Sequence, residues 1–252
     1  MEWLADTLAL TKPQAAYMVR VFFVAGVFRG FSGFGSSALA MGATVFILPP
    51  VAMIPVCWVL ELVASLAMLR EGVRVADRKM TVALTVGLFV GGGVGLHLTT
   101  SIPVEMSKLV ALSLIFALAI MLLAKIKPRF LATGPGLSAS GVVSGLAYGL
   151  AGVGGMVVAL YVLARDMPAR VARGSLVLYL LISAPFGGAL LFAYGMLSEL
   201  AMTRGVVLTV PALVGVIAGR RLFVPRYEPY YRPLCLGFIL ITAAGGVIRL
   251  AA

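Results

Sequence analysis

Two charged residues, Arg29 and Glu61, stand within long apolar stretches of the sequence. Counted from Tyr17, Arg29 lies 12 residues along its stretch, or about 18 Å along a helix, and Glu61 lies at a similar depth in the next stretch. Charges near the centre of a bilayer are costly, and they mark a ligand pathway or pair with one another. Two interpretations stay open: Arg29 binds an anion while Glu61 balances it or carries a proton, or the two form a structural ion pair. His97, late in a third apolar stretch, is either a proton carrier or a polar helix contact.

Small residues follow Arg29 in "FRGFSGFGSSALAMGATVFILPP" (28–50) and recur in "AYGLAGVGGMVVALYVLARDMP" (147–168). Glycine weakens a helix by about 1 kcal/mol and proline by about 3 kcal/mol, so both stretches are predicted to break. New helices would begin near Ser36 and Gly154, where free amides and the positive end of the helix dipole attract anions. The predicted substrate-binding residues are Arg29, Ser32, Gly33, Gly35, Ser36, Ser37, Gly152, Gly154 and Gly155. The alternative is that these small residues only allow tight helix packing.

The composition indicates which class of protein positions these residues. Of the 252 residues, 62% are hydrophobic and 12% are charged, against about 25% charged in soluble domains. Residues 135–164 and 174–198 contain no Asp, Glu, Lys or Arg, and each is long enough for the roughly 20 residues of a transmembrane helix. The sequence therefore predicts an all-α polytopic membrane protein, with residues 1–252 forming a single membrane domain.

Several function classes are disfavoured. The net charge of +11 comes from short basic clusters between apolar spans, which is typical of loops that set membrane orientation and not of nucleic-acid binding. Cys57 and Cys235 are isolated, and the chain has one histidine, so we expect no metal site, no cofactor and no enzyme activity. The expected partners are a small anion and the lipid bilayer, and a homo-oligomer is left open.

The glycine-rich stretches belong to an internal duplication. At a constant offset of 119 residues, Gly30, Gly33, Gly35 and Pro49 match Gly149, Gly152, Gly154 and Pro168. A second pair, "GGGVGLHL" (91–98) and "GVIAGRRL" (215–222), follows in the same order. The predicted repeats cover approximately residues 17–124 and 135–250.

The distribution of Lys and Arg predicts how the repeats are oriented. If each glycine-rich element enters the membrane and returns to its starting side, 14 basic residues lie on one side and five on the other, with Arg29 buried. Cytoplasmic loops carry such an excess. The segments 17–48 and 135–164 are also shorter than the roughly 40 residues of two crossings. We therefore expect two inverted repeats, each a re-entrant helical hairpin plus three transmembrane helices, with the termini in the periplasm. Broken helices that face each other at the midplane are typical of secondary transporters.

A glycine-rich motif closed by proline, present twice in a chain of this length, resembles the TauE/SafE-type sulfite exporter family. The resemblance extends from about Tyr17 to Ile248, and its motif residues are Gly30, Gly33, Gly35 and Pro49, then Gly149, Gly152, Gly154, Gly155 and Pro168. It implies export of sulfite, organosulfonates or related sulfur-containing anions across the bacterial inner membrane, with proton coupling as one option. The first motif departs from the family's glycine run because it reads "GFGSS". The alternatives are a small-anion channel or an uptake permease for another anion.

Overall fold

The structure, a computed structural model, describes residues 2–124, 133–165 and 167–224 and the single positions 226, 233 and 237. Eleven α-helices and no β-strand are found in these residues. The helices are α1 (Glu2–Leu8), α2 (Lys12–Ser32), α3 (Ser36–Thr44), α4 (Pro50–Ala67), α5 (Leu69–Val75), α6 (Arg78–Ser101), α7 (Val104–Leu123), α8 (Gly134–Ala151), α9 (Gly154–Ala164), α10 (Ala169–Ala193) and α11 (Glu199–Leu222). The predicted all-α class is confirmed.

Five of the described helices, α2, α4, α6, α10 and α11, are long and apolar enough to cross a membrane. The chain is therefore a multi-pass membrane protein. In the first half, the broken pair α2–α3 is followed by α4, α6 and α7, with the short α5 between α4 and α6. In the second half, the broken pair α8–α9 is followed by α10 and α11. The predicted final span, with Cys235 in it, and the basic segment 125–129 lie outside the described residues.

Both helix breaks occur at the predicted glycines. α2 ends at Gly33 with φ 84°, α3 starts after Gly35 with φ 83°, and α8 ends at Gly152 with φ 70°. All three have left-handed backbone, which glycine adopts at no steric cost. α2 is longer than the expected half-helix because it begins at Lys12, where Thr11 N donates to Gln14 Oε1 at 3.1 Å.

The first broken pair turns back on itself. Tyr17 Oη donates a hydrogen bond to the carbonyl oxygen of Ala43 at 3.0 Å, so the end of α3 lies beside the first turns of α2. This antiparallel arrangement is what a re-entrant hairpin requires. The inverted relation of the two repeats in the membrane stays a prediction.

The glycine-rich spans α6 and α11 pack on the broken helices of the opposite half. A Cβ on Gly215 would overlap the carbonyl oxygen of Phe23 in α2, and a Cβ on Gly91 would overlap that of Val142 in α8. Such close approach of backbones is what small residues at four-residue spacing allow in membrane helices. Each broken helix therefore packs against a glycine-rich span of the other half, as α2 does against α11 and α8 against α6.

Several helix ends meet at one end of the bundle. Asp77 N, just before α6, donates to Ser175 Oγ near the start of α10 at 2.9 Å. Arg220, at the end of α11, donates from Nη1 to the carbonyl oxygen of Ala67 at the end of α4 at 2.8 Å. The basic residues in these helix ends are Arg70, Arg74, Arg78, Lys79, Arg170, Arg173, Arg220 and Arg221. We call this the basic end of the bundle.

Candidate functional site

A cavity lies where the two helix breaks meet. Gly35 and Ser37 line it from the first break, and Gly152, Gly154 and Gly155 line it from the second. α3 and α9 both begin at this cavity. The structure thus brings together predicted site residues from segments more than 100 positions apart in the sequence.

Helices α4, α6, α8 and α10 form the other walls. They contribute mostly apolar and aromatic side chains, and Glu61 is the one charged side chain among the described lining residues. Trp58 is fixed by a hydrogen bond from Nε1 to the carbonyl oxygen of Ala184 at 2.8 Å. A largely apolar cavity with a few polar groups is the usual form of a small-molecule site. Cys57, expected to be a small buried residue, is buried and also lines this cavity.

Glu61 is bound to the first residues of α3. Its Oε1 accepts hydrogen bonds from Ser36 Oγ at 2.6 Å, from Ser37 Oγ at 2.7 Å and from Ser37 N at 3.3 Å. A carboxylate in this position satisfies free donors and balances the positive end of the helix dipole. The serines predicted to bind an external anion therefore hold an internal one, and Ser36 is not among the described residues that line the cavity.

Arg29 is fully buried and faces Glu61. Its Nε lies 3.1 Å from Glu61 Oε2, and its Nη2 donates to Ser65 Oγ at 2.7 Å. The ion pair that the sequence left open as one alternative is present, and Arg29 is not one of the described cavity-lining residues. Contact between Arg29 and a substrate stays a prediction.

Three other predicted residues stand back from the cavity. Ser32 Oγ lies within hydrogen-bond distance of the carbonyl oxygens of Phe28 and Phe34, at 2.7 and 2.6 Å, so it stabilises the break itself. Gly33 forms the left-handed turn of that break. His97 is exposed on α6, and none of these three is among the described residues that line the cavity.

Comparison with protein families agrees with this architecture. The family model described as "Sulfite exporter TauE/SafE" matches residues 18–245. The chain belongs to the TauE/SafE sulfite exporter family. Comparisons with curated proteins and with solved structures give no significant match. Family membership and the five candidate spans make the chain a membrane transport protein of the sulfite-exporter type.

In this TauE/SafE chain, Arg173 stabilises the first helix break, a role that the sequence did not reveal. Arg173, counted there among the loop charges, is buried in α10 and donates from Nη2 to the carbonyl oxygen of Gly30 at 2.7 Å and from Nε to that of Phe31 at 3.1 Å. A cation that binds the last carbonyls of a helix stabilises its C-terminus. The signal in the sequence was weak: Arg173 is the fifth residue of α10, close to Arg170 and to the basic loop that precedes the helix.

Two tyrosines in the cavity wall were also missed as site residues. Tyr179 Oη and Ser144 Oγ lie 2.7 Å apart, and Ser144 Oγ donates to the carbonyl oxygen of Gly154 at 2.8 Å. Tyr148 lines the cavity from α8, and at the offset of 119 residues it corresponds to Arg29 in the first half. That correspondence was the signal, because it places Tyr148 next to the second break.

Proposed function

We propose that this TauE/SafE family protein is a secondary transporter that exports sulfite, an organosulfonate or a related sulfur-containing anion. The observation that carries the proposal is the cavity between the two helix breaks, at which both α3 and α9 begin. Facing helix starts in the middle of a membrane domain are the usual place for an anionic substrate in secondary transporters. Family membership favours a sulfur-containing anion as the substrate.

The proposed location is the bacterial inner membrane, with the basic end of the bundle in the cytoplasm and the termini in the periplasm. Its support is the excess of Lys and Arg at the ends of α4 and α11 and the starts of α6 and α10, because such residues concentrate on the cytoplasmic side. Proton coupling is proposed through Glu61, the one ionisable acid among the described cavity residues.

Counterflow in proteoliposomes tests the function. Vesicles that contain purified protein and unlabelled sulfite are diluted into a trace of ³⁵S-sulfite, with sulfoacetate, taurine and thiosulfate as competitors. A transporter accumulates the label transiently above the outside concentration, whereas a channel only lets it equilibrate. If the label does not accumulate with any of the four compounds as the unlabelled ligand, sulfur-anion transport is refuted, and equilibration without accumulation would identify a channel.

Glycine variants connect the activity to the cavity. Gly152→Val imposes a β-branched side chain on left-handed backbone, and Gly154→Val places a Cβ 2.6 Å from the carbonyl oxygen of Ser144. We expect both variants to insert into the membrane and to lose counterflow. The matched control is Gly93→Val, since a Cβ there has no neighbour closer than 3.9 Å. Normal counterflow in both cavity variants would exclude the proposed site.

A further inference from the structure

The two ends of the cavity differ in charge. At the start of α3, Glu61 already uses the hydroxyls of Ser36 and Ser37 and the amide of Ser37. The protein therefore supplies its own anion there, and its charge balances the positive end of that helix. Because Glu61 also pairs with Arg29, both charges and the described donors at this end already have partners before a substrate binds.

The start of α9 has no such acid. Gly155 and Leu180 occupy the positions that Ser36 and Glu61 hold in the first half, at the same offset of 119 residues. These two residues are also close to each other, as Ser36 and Glu61 are in the first half, since a Cβ on Gly155 would lie 3.3 Å from Leu180 Cδ2. Leucine, however, brings no charge. α9 has 11 residues, and its first amides have no acceptor within the helix. Its positive end is thus open to the cavity that Gly154 and Gly155 line.

Tyr148, whose Cβ would lie 3.1 Å from a Cβ on Gly154, provides a second, independent observation in the same cavity. It lines the same cavity, and its Oη is buried without a hydrogen-bond partner among the described residues. The hydroxyl lies against Gly187, where an added Cβ would be 2.7 Å away. Buried tyrosine hydroxyls usually find a partner, as Tyr179 does with Ser144. The Tyr148 hydroxyl is therefore a donor held available for a ligand.

We propose that the oxyanion group of the substrate binds at the α9 end of the cavity and that Tyr148 donates a hydrogen bond to it. The amides of Gly154 and Gly155 face the same charge, as backbone amides do at anion-binding helix starts. This assignment rests on the proposed function, because it places the substrate of that function at one of the two helix starts. The ligand class is a small sulfur oxyanion, whose several oxygens accept from a hydroxyl and from amides at once.

The test is binding of ³⁵S-sulfite to purified wild-type protein and to Tyr148→Phe in detergent. Because the hydroxyl bonds no described protein group, Tyr148→Phe should melt at an unchanged temperature without ligand. Its affinity for sulfite should fall about ten- to a hundredfold, the range for one hydrogen bond to a charged group. The matched control is Tyr194→Phe, which removes a hydroxyl bonded to the carbonyl oxygen of Gly93 at 2.9 Å. Tyr194→Phe should keep wild-type affinity.

A second variant covers the case in which Tyr148→Phe does not fold. Gly155→Ala adds one methyl group at the open end of α9 at a position with helical backbone, and it should also weaken sulfite binding. If wild-type protein binds sulfite and the folded variants bind it equally well, the α9 assignment is wrong while the proposed function stands. If wild-type protein binds none of the sulfur anions, the proposed function fails first and the assignment with it.

Discussion

Removal of one partner of the Arg29–Glu61 pair should destabilise the protein strongly. Arg29 is fully buried, the side chain of Glu61 is 13% exposed, and Arg29 Nε lies 3.1 Å from Glu61 Oε2. Loss of one charge leaves the other buried and uncompensated, which costs about 3–5 kcal/mol. Arg29→Leu should fall in this range. Glu61→Leu should cost roughly 1 kcal/mol more, because it also removes the acceptor at the start of α3.

The double variant with leucine at both positions should recover most of this loss, since replacement of a buried ion pair by apolar residues is often close to neutral. The measurement is unfolding of the purified protein in mixed micelles of increasing SDS content, followed by tryptophan fluorescence. The matched control is the pair Lys108–Glu105 at 2.9 Å, in which the Glu105 side chain is 81% exposed. Its disruption by Glu105→Leu should cost less than about 1 kcal/mol.

The double-mutant cycle decides the outcome. Effects of Arg29→Leu and Glu61→Leu that add within about 0.5 kcal/mol would show no coupling and would refute the structural pair. Counterflow on the folded double variant answers the separate question of substrate contact. Full transport would end the hypothesis that Arg29 touches the anion, and a loss of sulfite affinity in a stable double variant would favour it.

Two further predictions concern coupling and topology. Glu61→Gln keeps an acceptor for the α3 donors but removes the charge that balances Arg29, so a smaller yield of folded protein is expected. In the protein that does fold, sulfite counterflow should persist while transport driven by a pH gradient is lost; equal loss of both would contradict a proton-carrying role. Single cysteines at Arg74 and Arg170 should react with a membrane-impermeant thiol reagent from the same side of the membrane, because the adjoining segments are in contact through Asp77 and Ser175. Labelling of the two positions from opposite sides of the membrane would exclude the inverted-repeat arrangement.

The helix breaks were predictable because their cause is local. Gly33, Gly35 and Gly152 have left-handed backbone, and the duplication repeats the signal in the second half of the sequence. The buried pair was predictable in part, since two isolated charges at similar depth have few other partners in an apolar medium. Whether Arg29 or Glu61 contacts a ligand depends on how α4 packs against α3, and this packing cannot be read from the composition.

The positions of the residues that lie away from the cavity, and of the arginine that was not identified, have physical causes of another kind. Ser32 bonds the backbone carbonyls of Phe28 and Phe34 at its own helix break. A short hydroxyl side chain reaches such local acceptors more easily than it reaches a ligand in the cavity. His97 lies two residues from Gly95, whose Cα faces α8, and a step of two residues turns a helix to its opposite side. Arg173 reaches Gly30 across more than 140 positions of sequence, so its role exists only in the folded chain.

The similar construction of the two halves explains why one cavity need not hold two anions. Two helix starts of the same construction face it, and each attracts negative charge. In the first half, Arg29 and Glu61 fill this role internally. In the second half, the matching positions hold Tyr148 and Leu180, which carry no charge. The positive end of α9 can therefore attract a ligand anion. Two mobile anions in one apolar cavity would repel each other, whereas one fixed carboxylate and one mobile anion at opposite helix starts are each balanced. If the substrate binds as proposed, the difference between the halves, and not their symmetry, determines where it binds.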